Sequence, residues 1–74
     1  MKNEKVLLHG LRDERKRVRY RPSWIAAELF IHPRTYRAWE ACEYSVDLVT
    51  AARLSHILMT SLPALFRKRG LNEL

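Results

Sequence analysis

The sequence predicts an all-α protein: a compact bundle of five helices, folded as one domain with no sheet. Three observations predict it. Pro22, Pro33, Ser45 and Ser61 stand where helices can open, proline because it has no N–H to leave unpaired and serine because its hydroxyl can accept a free one. Between these starts, apolar residues recur three and four apart, the spacing that gathers side chains on one helical face. The chain is 74 residues long, enough for one small core worth only a few kcal/mol, which favours a helical bundle, a dimer or both.

The first helix is expected over about residues 3–16, with Asn3 as its cap and Leu7, Leu8 and Leu11 as its apolar stripe. Gly10 falls inside that stretch at a cost of about 1 kcal/mol relative to alanine. Asp13 and Arg17 are spaced to pair across one turn. The alternation of Arg17, Val18, Arg19, Tyr20 and Arg21 reads as an ordered connection, with Val18 or Tyr20 turned inward and arginines outward. The second helix runs over about 22–29, with Ile25 and Leu29 on one face and small Ala26 where helices cross closely. Trp24 is read foremost as a core residue; the alternative is a surface contact.

The third helix spans about 33–41, with Tyr36 and Trp39 inward and Arg34, Thr35, Arg37 and Ala38 outward. Ser45 caps the fourth, about 45–59, with Asp47 in its first turn and Ala51, Leu54, Ser55 and Leu58 along one side. Ser61 caps the fifth, about 61–69, whose apolar side is Leu62, Leu65 and Phe66. Gly70 ends it after the Arg67-Lys68-Arg69 run, leaving 70–74 as a tail.

Composition narrows the function. The net charge is +6, and Arg12, Arg15, Lys16, Arg17, Arg19 and Arg21 stand close together against only Asp13 and Glu14. A basic surface of that kind favours a polyanion. No apolar run is long enough to span a bilayer, and the N-terminus lacks a long signal core, so the protein is expected in a cytoplasm. Cys42 is the single cysteine, and its expected role is a small, partly buried residue after the third helix. His9, His32 and His56 share no metal-ligand spacing. No nucleophile–base pair, carboxylate pair or Gly-rich phosphate loop can be nominated, so neither an enzyme nor a cofactor nor a small-molecule ligand is expected.

The second and third helices, Arg21 to Glu40, have the form of a helix-turn-helix, with a recognition helix held by its inner face and arginines outside. The stretch resembles the helix-turn-helix of the Cro/cI-type, phage-repressor-like family. Ile25-Ala26 matches the family's hydrophobic residue and alanine, Leu29 its hydrophobic residue before the turn, and Tyr36, Trp39 and Glu40 its closing pair and glutamate. Leu54 to Phe66 is similar to its fourth helix, connection and fifth helix, so the likeness covers about three quarters of the chain. There are departures. Phe30 stands at the turn position usually held by glycine, and a left-handed backbone is costly for it, so the corner is expected to take another shape. Pro22 replaces a phosphate-contacting glutamine, Ala41-Cys42 follows the final glutamate where glycine is usual, and Leu11-Arg12 lies further upstream than in the family.

The resemblance implies a lambda-repressor-like DNA-binding domain acting as a twofold dimer. Its partner would be an operator in double-stranded DNA, as for a small repressor of phage, plasmid or other mobile-element type. Carried onto this sequence, Arg34, Thr35, Arg37 and Ala38 would contact bases. Arg15, Lys16, Arg17, Arg19, Arg21, Ser23 and His32 would contact phosphates, and Leu62, Leu65 and Phe66 would form the dimer interface. The alternative is a degenerate helix-turn-helix that binds a protein, as an antitoxin or antirepressor does. Phe30, Pro22 and Trp24 are apolar where the family is polar or small, which favours that alternative.

Overall fold

The computed structural model, which describes residues 4–67, holds five helices and a two-stranded sheet. The order is β1 (Lys5–Val6), α1 (Leu11–Val18), α2 (Pro22–Glu28), α3 (Pro33–Glu40), β2 (Val46–Asp47), α4 (Leu48–Ile57) and α5 (Leu62–Phe66). The expected cap at Asn3, the cations Lys68 and Arg69, the stop at Gly70 and the tail lie outside the described residues.

The sheet corrects the all-α expectation. β1 pairs antiparallel with β2, Lys5 opposite Asp47 and Val6 opposite Val46. The Leu48 N–H then donates to the Glu4 carbonyl at 3.0 Å, so the start of the chain is clamped onto the start of α4. Two-residue strands are too short to show alternation in a sequence, and Leu7 and Leu8 read more readily as a helical stripe. Instead the chain turns after β1. Leu8 enters the core, Leu7 is exposed, and α1 begins only at Leu11.

Gly10 is the cap residue of α1 rather than a weak point inside it. Its N–H donates to the Leu65 carbonyl at 2.8 Å. A Cβ there would stand 2.1 Å from the Ala64 carbonyl oxygen and 2.4 Å from that of Arg67, so only glycine lets α5 come this close.

The core is made of Leu8, Leu11, Ile25, Ala26, Leu29, Tyr36, Val46, Ala51, Leu54, Leu58 and Leu65. Every element except β1 contributes at least one of these residues. α2 and α3 pack on one another, and α1 and α4 both pack on α5. Val18 and Tyr20 pack against the core as the alternating segment predicts. Trp24 does not enter it: it is 46% exposed, with its ring against that of Tyr20 at 4.8 Å.

Four helices end alike, each with a non-glycine residue in the left-handed region: Arg19 (φ 63°), Phe30 (φ 58°), Cys42 (φ 59°) and Met59 (φ 52°). After each, the next N–H reaches back five residues: Tyr20 to Arg15, Ile31 to Ala26, Glu43 to Ala38 and Thr60 to Ser55. This is the Schellman closure, which satisfies carbonyls left open at a helix end and ordinarily recruits glycine. Phe30 therefore makes the tight corner that its side chain was expected to prevent, and its ring is left 92% exposed.

The cap of α4 falls two residues later than expected. Ser45 is exposed outside the helix, and Asp47 is the cap, accepting from the Thr50 N–H at 3.2 Å and the Thr50 hydroxyl at 2.8 Å. β2 occupies the chain up to Asp47, so the helix cannot start sooner. Ser61 caps α5 as predicted, accepting from the Ala64 N–H at 3.3 Å.

Candidate nucleic-acid interface

The corner between α2 and α3 fixes how α3 is presented. Pro33 opens α3, and the His32 imidazole Nδ1 accepts the Arg34 N–H at 3.0 Å. An accepting Nδ1 carries no proton, so in this bond the ring proton sits on Nε2. On the inner side Tyr36 is fully buried and Trp39 half-buried, their rings edge to face at 6.3 Å. On the outer side Arg34, Thr35 and Arg37 are exposed. Ala38 corrects the expected outer face. It is only 9% exposed, because the chain after α3 folds back and the Glu43 N–H donates to the Ala38 carbonyl.

Arg34, Thr35 and Arg37 open onto a cleft of about 630 Å³. Its wall also includes Ala38, Ala41, Glu43, Tyr44 and, from α1, Arg12. Tyr44 is 66% exposed. Sequence reasoning did not assign Arg12 or Tyr44 to the outer face. Arg12 stands in the sequence as one charge of a cluster and as part of the Leu11-Arg12 pair, and no local pattern marks Tyr44.

The end of α3 is bolted to α1. Both Nε and Nη2 of Arg15 donate to the Glu40 carboxylate, Nη2 at 3.2 Å, while Nη1 donates to the Tyr20 carbonyl at 2.9 Å. The Glu40 side chain is 5% exposed and that of Arg15 14%, so the pair is nearly dry. Arg12 approaches the same carboxylate at 3.6 Å from the solvent side. The hydrogen bonds to Glu40 raise the Arg15 pKa further, against the opposing effect of burial, and keep it charged. The Tyr36 hydroxyl is buried with no hydrogen-bond partner among the described residues. Burial first, and then the Glu40 carboxylate, hold that phenol well above its ordinary range.

The basic segment divides. Arg15 is spent on Glu40. Arg17 turns inward at its tip: Nε donates to Glu14 at 2.9 Å rather than pairing with Asp13, and Nη2 donates to the Leu58 carbonyl at 2.9 Å, closing the end of α4. Lys16, Arg19, Arg21 and Ser23 remain exposed around the corner between α1 and α2. His32 is exposed as well.

The three apolar residues expected at a dimer interface are largely absorbed by the core. Leu65 is fully buried, and Leu62 and Phe66 are half-buried against the central cluster. Cys42 is half-buried, with its sulfur 3.5 Å from His9 Nδ1. Among the described residues, no group of three or more His, Cys, Asp or Glu side chains is placed to hold a metal ion. No helix among them is long and apolar enough to cross a membrane. Comparison with protein-family models, curated proteins and solved structures finds no match to this chain.

Proposed function

We propose that the protein is a sequence-specific double-stranded DNA-binding regulator, a small twofold repressor in which α2 and α3 form a helix-turn-helix. The observation that carries this reading is the division of α3. Tyr36 and the Arg15–Glu40 pair fix one side in the protein, while Arg34, Thr35 and Arg37 stand together on the other. A helix held that way can enter a major groove with arginines leading, and arginine reads guanine by paired hydrogen bonds to O6 and N7. Lys16, Arg19 and Arg21, exposed before α2, suit phosphates flanking the groove. The resemblance to the Cro/cI-type family supports the same reading and supplies the repressor role.

The test is selection of binding sites from a random DNA pool, followed by gel shifts on the selected site and on scrambled DNA at two or more salt concentrations. Preference for the selected site, with affinity falling as salt rises, supports the reading; indifference to sequence sinks it. A second reading, a helix-turn-helix that binds a protein, draws on the exposure of Phe30 and Trp24. It predicts no sequence preference in the same gel shifts.

A further inference from the structure

On the side of α4 that its core residues leave free, an apolar groove of about 570 Å³ runs between α2 and α4. Leu29, Val49, Ala52 and Ile57 line it, with Glu28, Arg53 and His56 as its polar residues. Val49 is 70% exposed. The residue following Leu29 is Phe30, 92% exposed and held there by a left-handed backbone. A bulky apolar side chain and a groove that can receive one therefore stand next to each other on the same molecule.

We propose that this groove is the contact between two copies of the chain, each lodging Phe30 against Val49, Ala52 and Ile57 of the other. The inference rests on the twofold reading above and assigns its interface. Charge decides for a second copy over other occupants. The protein carries +6 overall, yet the groove holds one acid, Glu28, and one fixed base, Arg53. Among the described residues neither takes part in an ion pair. Glu28 ends α2 and Arg53 stands on α4, the two helices that flank the groove, so a twofold axis running between them would set Glu28 of each copy against Arg53 of the other. The apolar, charge-balanced lining does not suit a phosphate backbone. The groove shares no residue with the cleft of Arg34, Thr35 and Arg37, so both surfaces can be occupied at once.

The experiment is sedimentation equilibrium of the whole chain without DNA, over a wide concentration range. The wild type should dimerise reversibly. Glu28→Arg should weaken the dimer by about tenfold or more, since it places like charges across the axis, and Arg53→Glu should do the same. The double variant Glu28→Arg/Arg53→Glu should recover the wild-type dissociation constant to within a few-fold. Phe30→Gly should also weaken the dimer while leaving the melting midpoint of the dilute monomer no lower, which separates loss of contact from loss of fold. A wild type that stays monomeric throughout overturns the proposal. So does a dimer indifferent to these changes, or one that the double variant fails to restore. Gel shifts on the selected DNA site, run in parallel, keep the two readings apart. Sequence preference with a dimer insensitive to Glu28 and Arg53 removes the interface and leaves the DNA reading. A dimer that responds as expected but binds no DNA selectively does the reverse.

Discussion

The Arg15 guanidinium holds both carboxylate oxygens of Glu40 from 25 residues away, joining the middle of α1 to the last turn of α3. The pair is nearly dry, so removing one member strands a buried charge. Arg15→Met or Glu40→Leu alone should each cost about 3 kcal/mol or more in urea unfolding, whereas the two combined should cost much less than the sum. Additive losses would show that the two side chains are not coupled.

The left-handed helix ends carry a second prediction. A β-carbon in that region costs about 1–2 kcal/mol, and glycine relieves it. Phe30→Gly and Met59→Gly should each stabilise the dilute protein by about 1 kcal/mol, raising its melting midpoint by about 4–8 °C. Phe30→Ala keeps the β-carbon and should give little of that gain. Equal midpoints for the glycine and alanine variants would mean that these turns carry no strain.

How far the sequence led follows from the same details. Pro22, Pro33 and Ser61 marked true helix starts, and the spacing of Ile25, Leu29, Ala51, Leu54 and Leu58 marked true inner faces, because caps and periodicity are local signals. The region before Leu11 departs from the expected helix because β1 exists only through its pairing with β2, and Gly10 is required only by the approach of α5. Of the expected outer face, Arg34, Thr35 and Arg37 are exposed, whereas Ala38 is covered by a chain reversal that periodicity does not encode. Charge count alone did not tell Arg15 and Arg17, held by Glu40 and Glu14, from Lys16, Arg19 and Arg21 in solvent.

Asp47 gives a pH-dependent prediction. The hydrogen bond from the Thr50 hydroxyl, outweighing the opposing effect of burial, holds its carboxyl below the ordinary carboxylate value. A folded pKa below the unfolded one gives stability that is fully present above the unfolded pKa, near 4, and is lost as pH falls through the folded pKa. Asp47→Ala should cost about 1 kcal/mol at pH 7 as a lost helix cap. Asp47→Asn should keep most of the cap and flatten the acid limb of the stability profile. Urea unfolding from pH 6 down to pH 3 checks this; parallel profiles for the wild type and the Asp47→Asn variant would count against it.

Arg34 is the second residue of α3, exposed and lining the cleft; in a recognition helix the first turn meets base edges. Arg21 lies before α2, outside that cleft and exposed. If Arg34 grips guanine through O6 and N7, Arg34→Ala should lose about 1–3 kcal/mol of discrimination at one base pair of each half-site, with binding to scrambled DNA nearly unchanged. Arg21→Ala should weaken selected and scrambled DNA alike and reduce the slope of log affinity against log salt by about one, the signature of a lost phosphate contact. Site selection repeated with each variant reads both effects. A selected site that keeps every preference with Arg34→Ala would show that Arg34 only neutralises phosphate. A preference lost with Arg21→Ala, at unchanged salt slope, would move base reading to the corner before α2.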